Sequence, residues 1–292
     1  MPGGKMGTDN KKGREGNGEI SYLVMGDLIN RLTETAVRSA IRGLQLPPGS
    51  RGLDAGCGIG NHTLWLAEAV SPGGHVTGVD ISEECIARAQ ETARKSKVGE
   101  QVSFQIEDIS KLPFENDSFD WLWSADTLYL WLMGTGGLAE VSLPLMSELK
   151  RVVKPGGIIA ILFWTSQKLL PGYPLLEARL NATRAANFVG ATGIRPELHS
   201  SRALGWLQNA DLEETEVRTF VLDIQVPLND ETREALSMTF QMFWRKAKSE
   251  VTPEDWGEYQ RLCDPESPDF ILDLPDYYAF LTYSLFFGRV EK

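Results

Sequence analysis

Leu53-Asp54-Ala55-Gly56-Cys57-Gly58-Ile59-Gly60 stands between a short apolar stretch at 52–55 and a helical one at 61–70. Glycines at a strand-to-helix turn let the backbone bend sharply and let a ligand come close to the main chain. A tight turn alone also uses glycines, so the spacing carries the argument. A dinucleotide-binding loop reads G-x-G-x-x-G and sets a pyrophosphate on the helix N-terminus. Here the third glycine, Gly60, comes one residue early, and Asn61 holds the place of the fingerprint's last glycine. Asp54 precedes the loop, where its charge would repel a pyrophosphate and suit a cationic amino-acid ligand. The loop therefore argues against a nicotinamide cofactor and the hydride transfer that goes with one.

Outward from this loop the chain alternates. Upstream, Leu28, Leu32, Ala36, Val37, Ala40, Ile41 and Leu44 recur at helical spacing and predict a helix over 27–44, ended by Pro47-Pro48-Gly49. Downstream, strands are expected at 76–79, 102–106, 119–123 and 158–163, with helices at 83–95 and 138–153. Strands separated by helices of this length imply βαβ units and a mostly parallel sheet. The pattern changes after Trp164. A helical insertion around 175–188 and a helix at 200–209 precede strand-like alternation over 214–226. Helices at 231–248 and 253–262 and a final strand at 277–290 follow. The fold class expected is α/β: a doubly wound, mostly parallel, seven-stranded Rossmann-like sheet with helical cap insertions. The expected division is a disordered leader at 1–18, an N-terminal helical segment at 19–48 and an α/β core at 49–166. A helical insertion at 167–200, sheet completion at 201–226 and 277–292, and a second cap insertion at 227–276 complete it.

Acids stand at the ends of three successive strands: Asp54 before the glycine loop, then Asp80 and Asp108. Asp80 closes Val76-Thr77-Gly78-Val79-Asp80, where a carboxylate can accept both hydroxyls of a ribose. It could instead cap the next helix, but Ser82, followed by Glu83 and Glu84, suits that role better. Glu107-Asp108-Ile109 ends the third strand, an acid and an apolar residue able to meet an adenine's amino group and ring. Ligands in open α/β sheets bind at the carboxyl ends of strands, at the topological switch point.

Four segments carry a family resemblance in the right order. LDAGCGIG at 53–60, VTGVDIS at 76–82, LPFENDSFD at 112–120 and ELKRVVKPGG at 148–157 resemble motifs of the class I S-adenosylmethionine-dependent methyltransferases. The likeness is to the ubiquinone/menaquinone biosynthesis branch. The resemblance implies S-adenosyl-L-methionine as cofactor, with Gly56 and Gly58 approaching its methionine part and Asp54 near its ammonium. It implies ribose on Asp80, adenine packed on Ile81 and edged by Asp108 and Ile109, and Ser124 near the methionine moiety. Cys57 is a loop residue in this pattern, and KPGG a turn. Where many relatives carry a His pair after the fourth strand, this chain reads Tyr129-Leu130-Trp131, followed by a glycine-rich loop at 133–137.

The bulk properties agree with an enzyme acting on a small molecule. The net charge of −11 disfavours a phosphate-backbone footprint, and no basic, aromatic-interleaved track is present, so nucleic acid is not the expected partner. Three widely spaced cysteines, no CxxC pair and three histidines argue against zinc or a disulfide framework, and for the reducing cytoplasm. No apolar run is long enough to span a bilayer, and no secretory signal opens the chain. No metal site is expected. Methyl transfer needs alignment, exclusion of water and, for some acceptors, a base; Asp126, Tyr129 and His199 are the candidates. Trp123, Trp131, Trp164 and Tyr173 gather near the ends of strands four and five, and Phe240, Phe243 and Trp244 sit at helical spacing. Most of these aromatics would join cap to core. A cap lined by the others suits an apolar or planar small organic acceptor, enclosed by 168–200, 227–276 and the N-terminal helix. The alternative is a non-catalytic S-adenosylmethionine-binding regulator or scaffold.

Overall fold

The central strands are apolar on both faces, as a sheet covered by helices on each side requires: Leu53, Leu122, Ile159 and Ile161 are fully buried. The structure, a computed structural model, describes residues 22–128, 139–187 and 196–292. The leader at 1–18, Tyr129, Trp131 and the loop at 133–137 lie outside the described residues. The strands are β1 (Arg51–Ala55), β2 (His75–Asp80), β3 (Val102–Ile106), β4 (Phe119–Ala125), β5 (Val153–Lys168), β6 (Leu212–Gln225) and β7 (Tyr278–Val290). They form a seven-stranded sheet in the order β3-β2-β1-β4-β5-β7-β6. β1 pairs in parallel with β2 on one side and β4 on the other, while β7 runs antiparallel between β5 and β6. The order reverses between β1 and β4, and the crevice opens at the carboxyl ends there. The expected fold class is the one observed.

The helices are α1 (Tyr22–Leu44), α2 (Asn61–Ala69), α3 (Glu83–Arg94), α4 (Ala139–Arg151), α5 (Pro174–Asn181), α6 (Ala203–Asn209), α7 (Asp230–Trp244) and α8 (Pro253–Cys263). One core lies under α1 and α2 and includes Trp121, Trp123 and Leu162. The other, on the opposite face, gathers Leu53, Leu122, Leu149, Ile159 and Trp206. Leu28 of α1 packs on Ala235 and Met238 of α7 in a third, smaller cluster. Among the described residues no helix is long and apolar enough to cross a membrane.

Two elements differ from the sequence expectation. β5 has 16 residues and takes in Lys154-Pro155-Gly156-Gly157, so the expected turn is an irregular start to the strand. The reason is close packing: a Cβ on Gly157 would lie 2.6 Å from the Asp120 carbonyl oxygen, and the β4–β5 register shifts between Phe119 and Trp121. The insertion helix expected around 175–188 ends at Asn181. Its terminal carbonyls are taken up by side chains: Thr183 Oγ1 donates to Leu180 O at 2.7 Å and Asn187 Nδ2 to Asn181 O at 2.8 Å. Phe240 and Trp244 are fully buried, and Trp244 Nε1 donates to Asn181 Oδ1 at 3.0 Å, tying α7 to α5.

Candidate active site

The glycine loop is strapped to the end of β2, where the amides of Gly56 and Cys57 both donate to Val79 O, at 2.8 and 2.9 Å. Gly56 has φ 82° and Gly58 φ 51°, backbone that side chains rarely adopt. A Cβ on Gly56 would lie 2.3 Å from the Thr127 side chain, so this glycine is needed for packing against the end of β4. A Cβ on Gly58 would meet nothing within 4 Å, because Gly58 faces an open cavity. One edge of the carboxylate of Asp80 accepts the Gly58 amide and the other the Ser82 amide, both at 2.9 Å. Ser82 Oγ caps α3 by accepting from the Cys85 amide at 3.2 Å, as its sequence context predicts. Asp80 is thereby fixed on the cavity wall, with a lone pair left on each oxygen.

The cavity has a volume of about 910 Å³ and runs from this loop across the ends of β4 and β5 to α1, α5 and α7. At the loop end its wall includes Asp80, Ile81, Asp108 and Ile109. Ile81 is 73% exposed, a large apolar side chain presented to the opening. One carboxylate oxygen of Asp108 accepts from the Ser110 amide and hydroxyl at 2.8 and 2.7 Å. At the other end the wall includes Met25 and Ile29 of α1, Trp164, Met242 and Phe243. The rings of Trp164 and Phe243 meet edge-on with centroids 5.5 Å apart.

Two residues expected at the ligand lie beneath the floor. Asp54 is 1% exposed and does not line the cavity; among the described residues its carboxylate accepts one hydrogen bond, from Thr63 Oγ1 at 2.7 Å. Burial pushes its carboxyl up to about 7, opposed by the Thr63 hydrogen bond and helped by the charge of Asp80. Ser124 is fully buried and donates to Ala55 O at 2.7 Å, joining β4 to β1.

Of the base candidates, Asp126 and His199 line the cavity. Asp126 Oδ1 accepts the Trp164 amide at 2.8 Å and Oδ2 accepts the Tyr283 hydroxyl at 2.9 Å. Burial pushes its carboxyl up to about 6, against both hydrogen bonds. His199 accepts from the Ser201 amide at 3.2 Å and caps a short turn. Tyr129 lies outside the described residues.

Two wall residues went unnoticed in the sequence. His62, in the first turn of α2, stacks on Trp65 with centroids 5.1 Å apart, and its buried Nε2 has no hydrogen-bond partner among the described residues. Burial lowers its pKa to about 4, so the ring is neutral at pH 7. Its place just after the glycine loop was the available signal. Tyr283 gave none, since only the β5–β7 register sets it opposite Trp164. Among the described residues no group of three or more His, Cys, Asp or Glu is placed to hold a metal ion.

Residues 46–207, more than half of the chain, match a family model described as a methyltransferase domain. The chain belongs to this methyltransferase family. The chain is 35% identical over 153 residues to the demethylmenaquinone methyltransferase of Bacillus cytotoxicus, covering 52% of this chain and 60% of that one. It is 37% identical over 132 residues to the demethylmenaquinone methyltransferase of Staphylococcus aureus, covering 44% and 49%. These are matches to the menaquinone branch that the motifs resemble, and they span about half the length of each relative. Among solved structures, YcgJ of Bacillus subtilis covers 89% of this chain at a TM-score of 0.51 and 17% identity, matched over 99% of its own length. A chain from the complex of the Haloferax volcanii Trm112 methyltransferase activator with a methyltransferase covers 93% at a TM-score of 0.54 and 18% identity, over 96% of its own length. At these identities the two structures show the shared fold alone.

Proposed function

We propose that this methyltransferase moves a methyl group from S-adenosylmethionine to a small organic acceptor of apolar or planar character. The observation that carries this reading is that one continuous cavity joins the glycine loop to an aromatic chamber. A cofactor and an acceptor could thus meet out of water. The loop end fits the cofactor. Gly58 leaves room for close approach, Asp80 keeps lone pairs for ribose hydroxyls, and Ile81 and Ile109 offer apolar surface to adenine beside Asp108. Asp54 and Ser124, beneath the floor, would act by shaping the loop, and Asp54 also through its field on a cationic ligand. When bound, S-adenosylmethionine supplies an electrophilic methyl on a sulfonium, so the protein need only align the acceptor, exclude water and manage a proton.

Acceptor selection is proposed for α1 together with the cap segments 168–200 and 227–276, whose described residues Asn181, Met242 and Phe243 line the far end. The named activity of the curated relatives, which this chain matches over about half their length, supports a ring of naphthoquinol size. The acidic chain and the aromatic-walled cavity support a small molecule over a nucleic acid. Three free, buried cysteines among the described residues agree with the reducing cytoplasm as its compartment.

The test supplies cofactor labelled in the transferred methyl, with a soluble naphthoquinol lacking its ring methyl and with simple hydroxylated aromatics. Label is expected in at least one acceptor. Label confined to the cofactor with all of them would contradict this reading.

A further inference from the structure

Asp126 follows β4 with φ 51°, a left-handed backbone that strains a non-glycine residue. The strain is held by bonds to two other strands. The Asp126 amide donates to Leu162 O at 2.9 Å, the Trp164 amide donates to Oδ1, and the Tyr283 hydroxyl donates to Oδ2. This fixes a carboxylate at the meeting of β4, β5 and β7. It lies deep in the protein yet is only half-buried, because it faces the cavity. Among the described residues, two hydrogen bonds and no cation act on it. An unpaired carboxylate in such a place is costly, and a clamp between strands does not need a charge. Each oxygen accepts one bond and keeps a lone pair. The residue whose amide holds Asp126 also supplies the chamber's aromatic wall: the Trp164 ring meets Phe243 at 5.5 Å and Tyr283 at 6.0 Å. A flat ring laid on that wall would carry a substituent within reach of the carboxylate.

We infer that Asp126 binds the hydroxyl of a hydroxylated planar acceptor and receives its proton during methyl transfer, with Tyr283 as the positioning residue. This rests on the methyl-transfer reading above. In the step, a lone pair of the acceptor oxygen forms the new bond to the methyl carbon. The carbon–sulfur bond breaks, its electron pair stays on sulfur and S-adenosylhomocysteine results. The hydroxyl proton passes to the Asp126 carboxylate and then to solvent, so charge and atoms balance.

Among the described residues, the other titratable groups round the cavity are Cys57 in the glycine loop, His62 on α2, Asp80 at the end of β2, Glu107 and Asp108 beyond β3, Lys168 at the end of β5, and His199. Of the cavity's titratable side chains among the described residues, only Tyr283 hydrogen-bonds Asp126, and Thr33 on α1 in turn bonds the Tyr283 hydroxyl.

The test uses two probes, 1-naphthol and 1-methoxynaphthalene, titrated by calorimetry into the full chain saturated with S-adenosylhomocysteine. A hydrogen bond to a charged acceptor predicts that naphthol binds about 10- to 100-fold tighter than its ether at pH 8. The preference should vanish in Asp126→Asn, and in wild type it should fade as pH drops through about 6. Tyr283→Phe removes a bond that favours the ionised carboxylate and should move that midpoint upward, which a merely structural tyrosine would not do. With S-adenosylmethionine in place of the product, wild type should form 1-methoxynaphthalene, and Asp126→Asn should form it at least about 100-fold more slowly. Equal binding of the two probes, binding of neither, or a preference that survives in Asp126→Asn would overturn the inference. If Asp126→Asn does not fold, the pH series on wild type and Tyr283→Phe decides. Failure of S-adenosylhomocysteine to bind would instead count against the methyl-transfer reading itself.

Discussion

Replacing Asp54 by asparagine removes a carboxylate that is 1% exposed and held by one hydrogen bond, from Thr63. Burial raises its pKa from 3.8 to about 7. Between these values the folded chain keeps a proton that the unfolded chain has released. Folded stability therefore falls as pH rises from about 4 through about 7. Three pH units at about 1.4 kcal/mol each make this loss about 4 kcal/mol by pH 8. Asparagine has the same shape and carries no charge. Its oxygen can still accept from Thr63, but its amide protons lack a partner, at a cost of about 1–3 kcal/mol. Below about pH 4 the variant should be less stable than wild type by that cost, and at pH 5, where wild type has already lost about 1.5 kcal/mol, the two should differ by no more than about 1.5 kcal/mol. At pH 8 the variant should be more stable by about 1–3 kcal/mol. Urea unfolding followed by tryptophan fluorescence at these pH values reads this directly. Asp126, raised to about 6, contributes equally to both proteins, so the difference between them isolates Asp54. A wild-type-minus-variant difference that stays constant from pH 5 to pH 8 would refute the assignment of a buried, high-pKa carboxyl.

Other substitutions probe the loop and the cap. Gly56→Ala places a Cβ 2.3 Å from Thr127 at a φ of 82°, and should cost both stability and cofactor affinity. Gly58→Ala meets no atom within 4 Å, so urea unfolding should show only the backbone cost of about 1–2 kcal/mol, while calorimetry shows weakened cofactor binding. Ser82→Ala removes the cap of α3 and should lower stability by about 1 kcal/mol. It should leave cofactor affinity nearly intact, because the main-chain amide at this position still holds Asp80. Trp244→Ala empties a fully buried site and breaks the bond to Asn181, with an expected loss of about 3–5 kcal/mol by the same assay.

The fold was legible where the signal is local. The glycine loop, the three acids ending successive strands, the Ser82 cap and the alternation of strands with helices are written in neighbouring residues, and the structure has all of them. Direction was less legible than position. Asp54 and Ser124 stand beside the loop in sequence, but β1 and β4 are central strands covered on both faces, so these two side chains turn into the sheet's packing and not the cavity. The length of β5 was hidden because Pro155, Gly156 and Gly157 read as a turn, and only the approach of the Asp120 carbonyl shows why glycine sits inside a strand. The partner of Asp126 was hidden for a different reason. Tyr283 lies 157 residues away and arrives through the antiparallel insertion of β7 between β5 and β6, which no local pattern encodes. His62 had the right address, one residue into α2, but periodicity alone cannot separate a wall residue from a core one.

The central claim is that the loop and the acids around it form a site for S-adenosylmethionine. Calorimetric titration of wild type and Asp80→Ala with S-adenosylmethionine, S-adenosylhomocysteine and NAD tests it most directly. Micromolar binding of both sulfur compounds by wild type, lost or greatly weakened in Asp80→Ala and absent for NAD, is the predicted result. Tight binding of NAD, or no binding of either sulfur compound by wild type, would contradict it.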